Sequence, residues 1–187
     1  MTRALLLGLA LLPIADAHRP QTAGGRVVVD DPTISWVYAG EFHDGDEVFV
    51  FELTYDAPFA MPMELMVPVR KKWEDHRPAY AVIGPGLPAP TDAERAWLPV
   101  EIDEGDGVFI DRNDASEREV YFEQVMRRTL YTTGSFAIHL PAAATYEIVV
   151  WVPQGTTGDF QLGFGVEEDF SDGAWGPIFS DWGAFAW

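Results

Sequence analysis

Few side chains in this sequence have the type and spacing to do chemistry, and its four histidines lead them: His18, His43, His76 and His139. His18 stands out because of what precedes it. Thr2-Arg3 is a short positive region, Ala4 to Leu12 is an apolar run too short to span a bilayer, and Ala15-Asp16-Ala17 fits a small-x-small cleavage pattern. Cleavage after Ala17 makes His18 the first residue of the mature chain. Its α-amine, with a pKa near ~8, and its ring Nδ1 then chelate one metal together. A second imidazole completes a T-shaped set of three nitrogens, a histidine brace, which suits Cu(II) at the top of the Irving–Williams order. His43, in the turn "EFHDGDE", is the candidate for that imidazole, and Glu123 or Asp44 would add an oxygen. The metal set expected from sequence is therefore His18, His43 and Glu123. Each member has a plainer reading: His18 as the first residue of an arm, and His43 as a histidine facing water in an acidic turn.

The other candidates are weaker. His76, in "WEDHRP", reads as a surface loop residue, and His139 as lying on the opposite strand face from Phe136, Ile138 and Leu140. "MPMELM" gathers Met61, Met63 and Met66, and thioethers bind Cu(I). On a strand Met61 and Met63 share a face while Met66 points away, so core filling is the better reading. The acidic run at residues 101–114 misses the EF-hand register, which leaves a loose calcium site in a loop as a weak alternative to a solvated turn. There is no G-x-S-x-G elbow, P-loop, H-E-x-x-H or dinucleotide fingerprint. With no cysteine, disulfides, thiolate metal sites and cysteine nucleophiles are excluded.

These residues need a scaffold, and 187 residues, 48% hydrophobic, suffice for one domain with a sizeable core. A net charge of −18 sets nucleic acid aside as a partner. Short runs rich in Val, Ile, Phe, Tyr and Trp alternate with Gly, Pro, Asp and Asn. They predict strands at Ile34–Ala39, Val48–Tyr55, Met63–Val69, Tyr80–Ile83, Val108–Asp111, Ser135–Leu140, Tyr146–Val152 and Phe160–Phe164. "TYEIVVWVP" is apolar on both faces, as a central strand requires. "RPQTAGG" after His18 reads as an arm. Thr91 or Asp92 caps a helical turn that Pro99 stops. The expected fold is an all-β antiparallel sandwich of jelly-roll or Greek-key type, with a short aromatic C-terminal helix or tail. Residues 1–17 form the signal peptide, 18–170 the sandwich and 171–187 the tail. The tail packs on the sandwich or touches a membrane surface or protein partner.

Several stretches, in order, carry a resemblance: "DPTISWVYAGEFHDGDEVFVFEL", "YAVIGPGLP", "YFEQV" and "TYEIVVWVPQGTTGDFQLGFGVEEDF". Together they resemble an uncharacterised family of exported archaeal and bacterial proteins. The last is also similar to the β-sandwich domains that follow secreted peptidase domains. The resemblance spans roughly residues 18 to 170 and implies an exported β-sandwich, periplasmic or extracellular, with no established activity. Family members often begin with His followed within two residues by Pro, matched here by His18-Arg19-Pro20. Glu41-Phe42-His43-Asp44-Gly45 matches the family's E-L-H-E-G. Phe122-Glu123-Gln124 matches its Y-E-P, with Gln in place of Pro.

Three functions fit this reading. The leading one is an exported copper carrier or buffer. The others are a non-metal extracytoplasmic interaction or accessory module, and a copper mono-oxygenase using the brace. Separation of His18 from His43 beyond about 10 Å would favour the interaction module, because metal–nitrogen bonds are near 2 Å.

Overall fold

The computed structural model describes residues 19–123 and 127–168. The expected signal peptide, His18 and the aromatic tail lie outside the described residues.

Twelve strands are described: β1 (Arg19–Thr22), β2 (Arg26–Val29), β3 (Trp36–Phe42), β4 (Val48–Tyr55), β5 (Phe59–Pro68), β6 (Ala79–Pro85), β7 (Asp106–Asp111), β8 (Glu119–Glu123), β9 (Arg128–Thr132), β10 (Phe136–Leu140), β11 (Ala144–Trp151) and β12 (Gly158–Phe164). They form two sheets. One runs β1-β3-β12-β5-β9-β8, with β10 also pairing β5, and the other runs β2-β4-β11-β6-β7. The fold is an all-β sandwich, as the alternating patterns predict. The sheets are mixed rather than purely antiparallel, because β1 runs parallel to β3 and β2 parallel to β4. The expected arm after His18 is thus an edge strand: "RPQT" lies along Trp36–Ala39.

Period-two alternation builds the core. In β4, Phe49, Phe51, Leu53 and Tyr55 are buried and face Tyr38, Phe42, Phe160 and Phe164 of the other sheet. The aromatic rings interlock, Phe42 meeting Phe49 edge-on at 5.0 Å and Tyr38 stacking on Phe164 at 5.7 Å. Such pairs add about 0.5–1.5 kcal/mol each beyond their buried area. β11 lies between β4 and β6, apolar on both faces as its sequence requires. Its outer face is covered by the segment that includes α1 (Asp92–Trp97), where Trp97 packs edge-on against Trp151 at 4.7 Å. Thr91 and Glu94 form a reciprocal capping box at the start of α1.

Candidate functional site

β3 separates His43 from the start of the described chain. Arg19 pairs with Trp36 at the start of β3, and His43 follows Phe42 at its end. Seven residues of strand separate those two levels, roughly 23 Å at about 3.3 Å per residue. The register therefore sets Arg19 and His43 at opposite ends of β3, while His18 lies outside the described residues.

Glu123 is also far from His43. It ends β8, and β12, β5 and β9 stand between β8 and β3. Four inter-strand steps of about 4.8 Å put it about 19 Å from β3. Its cross-strand partner is Arg128, a cation rather than a metal-binding imidazole. Among the described residues, no group of three or more His, Asp or Glu is arranged to hold a metal ion, the acidic 101–114 loop included.

His43 itself is a turn residue. Its backbone N–H and that of Asp44 both donate to Glu47 Oε2, and Gly45 sits so close to the Gly155 carbonyl that a Cβ there would collide with it. The imidazole is exposed, with Nδ1 3.8 Å from Glu41 Oε2.

The other histidines divide. His139 is exposed between buried Ile138 and Leu140, as alternation predicts. His76 is the correction: it is 2% exposed rather than a surface residue. The turn Lys71–Trp73 carries it under the sandwich, where it contacts Phe42 and crowds against Gly158. Its Nδ1 lies 3.0 Å from Thr156 Oγ, and Nε2 has no hydrogen-bond partner. Burial, and secondarily the Arg118 charge, push its pKa down to about 4, so the ring is neutral near pH 7. Met61 and Met63 fill the main core while Met66 packs on the outer face with Val37 and Leu130, the arrangement strand alternation predicts.

A second buried titratable group faces outward at the same end of the sheet. Asp159 pairs with Glu41 across the β12–β3 ladder. Burial, and then the Glu41 charge, raise its pKa to about 6 against the pull of Lys72, Arg70 and His43. Further along the same face, Gln161 is fully buried with neither amide atom hydrogen-bonded.

The feature that sequence reasoning missed is the β8 edge. Among the described residues β8 pairs with β9 on one side and with no strand on the other. Val120, Tyr121 and Phe122 are 55%, 44% and 54% exposed, three consecutive large apolar side chains on one edge strand. Register places Val120 and Phe122 on the inward side of the sheet and Glu119, Tyr121 and Glu123 on the outward side. "EVYFE" carried a signal, a β-branched and aromatic run between two acids, but nothing local marks a strand as an edge. Natural edges are usually blunted by charge, proline or a bulge. The apolar centre of this one is not.

No family model matches the chain, and no curated protein matches it. Among solved structures, a CocE/NonD family hydrolase from Staphylococcus aureus aligns with 77% of this chain and 27% of its own, at 14% identity and a TM-score of 0.18. The chain therefore spans about a quarter of that hydrolase, and a likeness this low carries no argument for fold or function.

Proposed function

We propose that this chain is an exported β-sandwich interaction module that binds an extended segment of a partner protein by strand addition at β8. The observation that carries this reading is the run of three exposed apolar residues on a strand that, among the described residues, pairs with β9 alone. An added strand would take main-chain hydrogen bonds from that edge and place alternate side chains over Val120 and Phe122. The leader-like "TRALLLGLALLPIADA" supports export.

Charge sets the partner's pattern. Glu119 and Glu123 flank the apolar centre, so the complementary strand carries Lys or Arg at two positions four residues apart, with apolar residues between them. A second copy of this chain does not fit. Antiparallel pairing centred on Tyr121 sets Glu119 of each copy against Glu123 of the other, and like charges directly opposite are destabilising.

The test is selection of displayed ten-residue peptides against the full chain, counter-selected with Val120→Lys/Phe122→Lys. Peptides with the basic–apolar–basic pattern should bind the unaltered chain and protect β8 amides from hydrogen exchange. Peptides that bind both forms equally, or protect other strands, contradict the reading.

A further inference from the structure

Register sets Ala39, Gln161, Met66 and Thr132 side by side across β3, β12, β5 and β9. They point outward, away from the main core, which takes Tyr38, Phe160, Leu162 and Leu65 from the alternate positions. Val37 and Leu130 lie on the same outward face, packed with Met66. Side chains stand roughly perpendicular to a sheet, so water reaches a bare face from above. It does not reach this one. Gln161 and Leu130 are fully buried, and Ala39, Val37, Met66 and Thr132 nearly so. Lateral neighbours do not explain this, because Gln161 has only a short alanine beside it on β3.

Among the described residues, no strand or helix lies over this face. The segment that includes α1 covers the outer face of the other sheet. The turn Lys71–Trp73 lies on the core side, where Trp73 crowds Gly158, and Gly158 shares the inward side of β12 with Phe160. What covers the face can be read from what it covers. The central row is uncharged, and both atoms of the Gln161 amide are buried without a hydrogen-bond partner. A polar or wet cover would pair with that amide, and an apolar one leaves it unpaired. Residues 171–187 have the fitting character, with Trp175, Ile178, Phe179, Trp182 and Phe185 and no lysine or arginine. They also follow closely on the right place. The Ser35 N–H donates to the Glu167 carbonyl at 2.8 Å, which sets the chain beside the start of β3, near Val37.

We propose that residues 171–187 dock on this outward face as an apolar strap, over Ala39, Gln161 and Met66. The other apolar stretch beyond the described residues is the leader, which enters at the same end, where the Arg19 N–H donates to the Ser35 carbonyl. Cleavage after Ala17 would remove it, so the face is assigned to the aromatic segment. The strap closes a surface that would otherwise be an apolar patch open to association. It uses the face of the sheet, whereas strand addition at β8 uses an edge, and neither depends on the other.

The chain has no cysteine, so a nitroxide attaches to one introduced cysteine alone. The test is paramagnetic relaxation in the full chain labelled at Ala184→Cys. The amides of Ala39, Gln161 and Met66 should lose most of their intensity and regain it when the label is reduced. Ala93 and Arg95 on α1, beyond the far sheet, should keep theirs. Trp182→Asp/Phe185→Asp in the labelled chain should abolish the broadening and leave the core signals of Tyr38 and Phe51 in place, and unchanged broadening would contradict apolar docking. Equal broadening when labelled, isotope-free chain is mixed with unlabelled, isotope-enriched chain gives the strap to a second copy and overturns the proposal. Broadening from Leu6→Cys with none from Ala184→Cys gives the face to the leader and also overturns it. Broadening confined to other strands, or none at all, does the same.

Discussion

Arg19 and His43 stand at opposite ends of β3, with Arg19 beside Trp36 and His43 just past Phe42. That separation suggests a test for copper. We expect a chain beginning at His18 to bind Cu(II) through its amine and imidazole without help from His43. His43→Ala should therefore leave Cu(II) affinity within about twofold, and an extra Gly before His18 should weaken it by tenfold or more. Isothermal titration checks both. A tenfold loss in His43→Ala would restore the shared site.

Two buried groups predict opposite pH dependences. Held neutral down to about 4, His76 refuses a proton that the unfolded chain binds from about 6.5 downward. Its contribution to stability is complete above about 6.5 and is lost as pH falls to about 4. Asp159, raised to about 6 from 3.8, holds a proton that the unfolded chain has released. Its contribution is present below about 3.8 and is lost as pH rises through about 6. Relative to the unaltered chain, Asp159→Asn should therefore lose more stability on acidification from pH 6.5 to 4. His76→Gln should lose more as pH rises from 4 to 6. Urea midpoints across that range separate the two, and identical slopes in all three proteins would contradict both assignments.

The strongly patterned segments were legible in the sequence. β4 lies where its alternation puts it, β11 is central because both its faces are apolar, and Thr91, one of the two expected caps, starts α1. What was not legible depends on distant partners. "RPQT" has no β pattern and becomes a strand only because the β3 backbone offers it a parallel ladder. His76 looks like a loop histidine until Gly158 and Phe42 close over it. The β8 edge is not visible locally, since it follows from where β9 pairs. Spacing along the chain likewise says nothing of where His43 lies relative to the start of the described chain at Arg19.

Gln161 offers a test of packing. Its amide is fully buried with no hydrogen-bond partner, which costs about 1–3 kcal/mol. Gln161→Met keeps the length and removes the unpaired dipole. It should raise the unfolding free energy by about 1 kcal/mol in urea denaturation, and a loss of that size would contradict an unpaired amide.

The central claim is that β8 is an edge competent to pair, held apart from its own kind by charge. Sedimentation velocity of Glu119→Lys tests it without knowledge of the natural partner. In an antiparallel pair of that variant, the introduced lysine of each copy faces Glu123 of the other, turning two repulsions into two attractions of about 0.2–1 kcal/mol each. The account predicts a monomer for the unaltered chain and for Glu119→Lys/Glu123→Lys, and a concentration-dependent dimer for Glu119→Lys that Phe122→Lys abolishes. A monomer for Glu119→Lys at every concentration, or dimers in all variants alike, would contradict it.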